Sequence, residues 1–292
     1  MTSLAVPAPQ AIAQARLIAG AAVTPAPVRR LLRWLAWGLS LAALLAMAGD
    51  IGLTPKLLVA GFWRSGHLIA LMWPPTANGQ ATAIFVALGQ TLAMAFLGTA
   101  IVVVAAFPLG LLGARSVVAQ PVFHFVLRLF FDLGRAIPVL VWAIILVAAF
   151  GLGPRVGVAA MVLAEIPYLA KIFAETMENR RKGVIESVQS AGGSRLQVLR
   201  YGLLPQVLPL AVGQAMLLFE SNLRESAALG LVGAGGIGVL LVTRIQLLQL
   251  DQVAWILVLF MIMVMTIDLL SQMVRRRLIE AMPQRAVSMA DA

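Results

Sequence analysis

The chain has 292 residues, of which 61% are apolar and only 12% charged, with a mean hydropathy of +0.95. Soluble domains carry about 25% charged and 45–50% apolar residues, so an ordinary soluble domain and a disordered chain are both excluded. The apolar runs are continuous rather than alternating, which excludes a transmembrane β-barrel and leaves an all-α polytopic membrane protein.

Residues 1–28 are rich in Ala and Pro and lack an apolar core near a start-proximal charge. They read as a mobile cytoplasmic tail rather than a signal peptide. Arg29, Arg30 and Arg33 then open an apolar run from about Leu31 to Leu53, the first expected span, within segment 29–54. Segment 55–78 mixes apolar residues with Lys56, Arg64, His67, Trp63 and Trp73, a composition suited to an external segment lying in the membrane interface. Five further spans are expected: Ala81–Leu112, Val122–Phe150, Val158–Met177, Gln206–Leu231 and Val253–Val274. They lie within 79–278, and 279–292 reads as a second cytoplasmic tail.

About six transmembrane helices place both termini on one side. Of the 22 Lys and Arg, fourteen fall in segments read as cytoplasmic, four in external segments and four within spans. This asymmetry orients the chain with both termini on the cytoplasmic side of its membrane. It also accounts for the net charge of +10 without nucleic acid. Counting 55–75 as a span would reverse every later loop and put the Arg180–Arg200 cluster outside.

With no cysteine there is no thiolate metal site and no cysteine nucleophile. His67 and His124 are far apart in apolar surroundings, so no metal site is expected and packing or interfacial roles suffice. No catalytic residue is expected either, because no nucleophile stands with a base or a metal cluster. The sequence Gly233-Ala-Gly235-Gly236-Ile-Gly238 satisfies G-x-G-x-x-G, yet it follows an apolar span rather than a strand. Flexible backbone and close packing near an external gate are expected there, not dinucleotide binding.

Ionised groups in a bilayer cost roughly 2.5–3.5 kcal/mol on insertion scales, so those inside the spans should be paired or should line water. Arg128 and Asp132 are spaced i, i+4, as are Glu220 and Arg224, and Asp132 and Arg135 are spaced i, i+3. Mutual neutralisation and a place on an aqueous path both fit these spacings. Glu165 and Asp268 stand alone and read as packing or helix-end residues.

The main polar segment is 178–205. Ile185, Val188, Ala191, Leu196 and Leu199 recur at helical spacing about Gly192 and Gly193, which predicts two short amphipathic helices joined by a glycine turn. Such an element fits a groove on a partner or the flank of its own bundle. Glu186-Ser187-Val188, Ala191-Gly192 and Leu204-Pro205 resemble, in residue type and spacing, the Glu-Ala-Ala loop of bacterial ABC importer permeases. Ser187 and Val188 replace Ala, and Gly202 replaces the usual Ile. Arg135-Ala-Ile-Pro138, Phe219-Glu220-Ser-Asn222-Leu-Arg224 and Leu229 to Gly238 are similar to segments of phosphonate transport permeases.

The resemblance implies a type I ABC importer permease fold and a transport subunit rather than an enzyme. Two ABC ATPase subunits would dock on the coupling loop and supply ATP and Mg chemistry, since no G-x-x-x-x-G-K-[ST] motif occurs here. An external binding protein would deliver the substrate, and a second permease copy would complete the pathway as a homodimer among membrane lipids. The implied cargo is a phosphonate-type anion, with phosphate, phosphite or another small anion as alternatives. Arg135, Asn222 and Arg224 are then expected to face the path, with Glu220 tempering Arg224. A self-contained secondary transporter would need its own coupling-ion site and an inverted repeat, and the halves show none.

Overall fold

The computed structural model describes residues 27–115, 118, 120–179 and 182–280. Most of the two expected tails, and Arg180 and Arg181 of the loop, lie outside the described residues. The chain divides into two units, Met1–Ile69 and Ala70–Ala292.

In the first unit, α1 (Pro27–Asp50) is followed by α2, which starts at Pro55 and runs to Leu71. Between them Gly52 adopts a left-handed φ of +77°, which lets the amide of Leu53 donate to the carbonyl of Ala48 and close α1. Thr54 restarts the helix by accepting the amide of Leu57 on its hydroxyl. α1 exposes Trp34, Trp37 and a set of leucines, and α2 buries none of its residues. Such surfaces suit lipid. At 17 residues α2 is shorter than the roughly 20 needed to cross a bilayer.

The second unit contains α3 (Ala81–Gly113), α4 (Pro121–Gly134), α5 (Val139–Phe150), α6 (Pro154–Glu178) and α7 (Lys182–Ser190). A helical turn at Arg195–Gln197 and a π-helical stretch at Val198–Leu203 lead into α8 (Leu204–Leu229). A 3₁₀ turn, Gly230–Val232, precedes α9 (Ile237–Gln246) and α10 (Leu250–Glu280). Proline opens α4 and α6, where its missing amide costs nothing and its fixed φ suits the first helical turn. Among the described residues five helical stretches are long and apolar enough to cross a membrane, or six if the bent pair α4–α5 counts as one span.

That pair corrects the expectation of one uninterrupted span over Val122–Phe150: α4 and α5 meet at 78°. The break sits at Arg135–Pro138. Proline disfavours helical backbone in the residue before it, and Pro138 caps α5.

Lipid offers no hydrophobic drive for helices to associate, so close approach of backbones must hold the bundle. α6 sits centrally, packing on α3, α4, α5 and α8. The tightest seam is α3 on α6. A methyl at Gly110 would lie 2.6 Å from Cβ of Phe173, and one at Gly113 would lie 2.9 Å from the Phe131 ring. Val102, Ala106, Phe131, Ala170, Phe173, Leu203 and Val207 form the core at that level. Gly134, ending α4, would place a methyl 2.5 Å from the Pro167 ring, so the helix-interior proline of α6 fills the notch that this glycine leaves.

Candidate functional site: a charged cavity and an exposed loop helix

The break between α4 and α5 faces α6 and α8 across a cavity of about 670 Å³. Arg135, Pro138 and Val139 form one wall, Glu165 and Tyr168 of α6 a second, and α8 the third. α8 contributes Gln214, Ser221, Arg224, Glu225 and Ala228, which share one helical face. The lining thus mixes two guanidinium groups with two carboxyl groups inside an apolar bundle.

The charged groups are held by side chains of α4, α8 and α10. Arg135 Nε lies 3.2 Å from Asp132 Oδ1, as the i, i+3 spacing anticipates. Asp132 is also bonded by Lys171 of α6. Arg224 Nη1 lies 3.5 Å from Asp268 of α10, a loose contact. Glu165 is only 5% exposed, and its Oε2 accepts from the amide nitrogen of Asn222 at 2.8 Å. The same nitrogen donates to Thr99 at 2.9 Å, so one fully buried asparagine ties α3, α6 and α8 together. Ser221 donates to Glu225 Oε1 at 3.3 Å, while Glu225 Oε2 is buried without a partner.

Two expected ion pairs are corrected. Arg128 bonds Glu178 at 2.7 Å rather than Asp132. Glu220 pairs with Arg275 at 3.1 Å rather than with Arg224. In both cases the partner stands on a neighbouring helix. α8 turns Glu220 and Arg224 toward α10, which itself carries Arg275 and Asp268. Two cross-helix pairs neutralise four charges, whereas an intrahelical pair would leave α10's two charges unmatched. Asp268, expected to be a packing or helix-end residue, is therefore the carboxylate beside Arg224, in the place expected of Glu220. Neither Glu220 nor Asn222 lines the cavity; Arg135 and Arg224 do.

Removing one member of a buried pair costs about 3–5 kcal/mol, because the other charge is stranded. The Glu220–Arg275 side chains are 10% and 22% exposed, so a value toward the lower end is expected. Arg275→Ala should lower the thermal stability of the detergent-purified protein, and adding Glu220→Gln should recover much of the loss. An unaltered melting profile in both variants would show that the pair carries no stability.

The loop before α8 is built by local chemistry. α7 exposes Glu186 and Ser187 and ends where Gly192 takes a φ of +79°. The amides of Gly192 and Gly193 then donate back to the carbonyls of Gln189 and Val188. Ser194 and Gln197 bond each other's backbone amides, a capping box that restarts the helix. The second half is thus no separate helix, as the sequence suggested; it runs through the π stretch into α8, and Leu204 and Pro205 lie in the first turn of that span. Val188 is half-buried while Ala191 is exposed. α7 follows Glu178, which accepts from the amide of Arg115 and from Arg128 and lies 3.2 Å from the buried His124. The end of α3, α4 and the end of α6 are joined at the point where the loop leaves the bundle.

The glycine-rich motif is a packing knot. Gly233, Gly235 and Gly236 have φ of +81°, +94° and +74°. A methyl at Gly235 would lie 2.7 Å from Pro154, and one at Gly236 would lie 2.8 Å from Thr91. Thr91 accepts the amide of Ile237 at 2.7 Å and Gln90 that of Gly236 at 3.3 Å, so the groups that would cradle a phosphate are already used. Among the described residues there is no strand and no cluster of three metal-ligating side chains.

Residues 106–282 match the family of binding-protein-dependent transport system inner membrane components. The chain belongs to that family. It is 36% identical over 227 residues to a phosphate-import permease, PhnE, of Mycolicibacterium smegmatis, covering 78% of this chain. The match spans 43% of that relative's length. It is also 36% identical over 203 residues to a phosphite transport permease, PtxC, of Stutzerimonas stutzeri, covering 70% of this chain and 74% of the relative. The permease of the MetNI methionine ABC transporter, solved in an inward-facing conformation, shares the fold. Its TM-score is 0.61 at 23% identity, over 70% of this chain and 99% of that one.

As a member of this family the chain is a membrane-embedded transport subunit with the type I ABC importer permease fold, not an enzyme. Against that background Glu165 and Glu225 are the residues that sequence reasoning undervalued: the first was read as packing and the second was not singled out. A signal existed. Gln214, Ser221 and Glu225 form a polar stripe at helical spacing along an otherwise apolar span.

Proposed function

We propose that the chain is the permease of an ATP-driven importer of small phosphorus oxyanions, phosphonates above all, in a bacterial inner membrane with both termini cytoplasmic. The single observation that carries the coupling reading is α7. It is a short amphipathic helix, exposed at Glu186 and Ser187, closed by Gly192 in left-handed backbone and placed between two spans. Glu186, Ser187, Val188, Ala191 and Gly192 offer a face for a separate ATPase, and Leu204-Pro205 joins that face rigidly to α8. Two ATPase subunits bind ATP and Mg, this chain holds no cofactor, and a second copy of the permease completes the pathway. An external binding protein delivers the anion. The names of the phosphate and phosphite relatives support the substrate class, as do Arg135 and Arg224 in the cavity lining.

In this mechanism ATP binding draws the ATPases together and, through two α7 helices, turns the permeases outward. Hydrolysis returns them inward. The cavity attracts the anion without caging it, because Asp132 and Asp268 compete for the guanidinium groups. Gly233, Gly235, Gly236 and Gly238 form a close-packed hinge beside the outer gate.

The test is uptake into vesicles holding this chain, its ATPase and its binding protein, with labelled phosphonate and phosphate offered separately. Uptake should need the binding protein on one face and ATP on the other. Uptake without ATP or without the ATPase would replace this reading with a secondary transporter.

A further inference from the structure

The cavity holds more carboxyl groups than an anion path requires. A site that only attracted a dianion would be lined by cations and hydrogen-bond donors. Here Glu165 and Glu225 share the lining with Arg135 and Arg224. Each carboxylate repels a bound anion unless the anion offers it a proton.

The chemistry of the substrate class supplies that proton. Phosphonate, phosphite and phosphate lose their last proton near neutral pH, so a large fraction keeps a P–OH group. Sulfate, of the same size and shape, keeps none. A carboxylate accepts a hydrogen bond from P–OH and only repels sulfate. Rejection of an isostere is strongest where a buried polar group would otherwise be left unpaired.

The geometry points to Glu225 as the acceptor, in a permease site that selects proton-bearing oxyanions over proton-less ones. Ser221 holds one of its carboxylate oxygens, and the other has no partner. The terminal torsion of a glutamate is soft and roughly two-fold, so either oxygen can be turned to the cavity. Arg224 precedes it directly in the chain, which sets cation and acceptor on adjoining faces of one helix. Glu165, held by Asn222, is a second carboxyl group on the cavity lining. The inference rests on the importer reading and adds to it a specificity-determining residue in the permease, independent of the binding protein.

The absence of native cysteine makes the test clean. Ala228 is exposed on the cavity wall, one turn beyond Arg224 and Glu225. In Ala228→Cys, the rate of thiol modification by a charged maleimide reports occupancy. The permease–ATPase complex in detergent, without binding protein, is labelled in millimolar methylphosphonate or sulfate. At about twice the dissociation constant, methylphosphonate should slow labelling roughly threefold and sulfate should leave it unchanged. In the Glu225→Gln background an amide can donate to either anion, so the two should protect alike.

Equal protection by both anions with Glu225 intact would overturn the inference, as would retained discrimination after Glu225→Gln. Protection by neither anion, in a complex whose ATP-driven uptake is normal, would also overturn it while leaving the importer reading standing. Failure of uptake in the intact complex would instead count against that reading.

Discussion

Gly192→Pro should reduce ATP-driven uptake by at least about tenfold, a loss of roughly 1.4 kcal/mol or more in coupling, while the protein still accumulates in the membrane. Proline cannot adopt the φ of +79° found there, and it removes the amide that donates to Gln189 at 2.9 Å. α7 must then leave the turn in another direction. The spans are spared, because α7 contributes nothing to the buried core among the described residues. Gly192→Ala is the graded comparison, since a non-glycine residue in left-handed backbone costs about 1–2 kcal/mol without losing the donor. Glu186→Lys probes the same face by charge alone. Uptake and ATPase co-purification unchanged by both Gly192→Pro and Glu186→Lys would remove the coupling role from this loop.

Gly238→Ala should cut the yield of monodisperse protein severely. The added methyl would strike the carbonyl oxygen of Ala227 and lie 2.9 Å from Cα of Gly230. A methyl at Gly230 would in turn press on Gly238 and lie 2.5 Å from the amide nitrogen of Val239. These are backbone atoms, so no side chain can swing aside. The 3₁₀ turn and α9 would have to separate, which exceeds the about 1–3 kcal/mol typical of overpacking against movable side chains. Gly213→Ala on α8 is the control. Nothing lies within 4 Å of its added methyl, and alanine favours the helix by about 0.8–1.0 kcal/mol. Comparable size-exclusion profiles for the two variants would refute the close contact.

The two glycines were legible in the sequence in different degrees. Gly192 announced itself, because it separates two stretches of helical periodicity, and only a turn can sit there. Gly238 was legible as a small residue after a span but not as the point where two backbones touch. Its neighbour in space, Gly230, lies across a turn whose path depends on three left-handed glycines and on Thr91 of another helix. The resemblance to G-x-G-x-x-G was a coincidence of spacing. Context already spoke against it, and the use of the amides of Gly236 and Ile237 by Gln90 and Thr91 gives the physical reason.

Composition and periodicity determined the class, the number of spans and the position of the exposed loop, because each follows from residues close together in the chain. Hydrocarbon demands a continuous apolar run with every backbone group bonded inside it, so a span is written in one stretch of sequence. Proline and the Ser194–Gln197 capping box also act over three or four residues, but the expected spans followed the apolar runs and did not use them. Apart from the local Asp132–Arg135 pair, tertiary structure decided which charges meet. Glu220 and Arg275 are 55 residues apart, and their pairing depends on how α8 rotates against α10. The same rotation sets Arg224 and Glu225 on the cavity wall, while the 78° break at Pro138 brings Arg135 to it. Local spacing can offer an arginine its nearest carboxylate, but in an apolar medium the partner is decided by which charged groups the packed helices bring face to face.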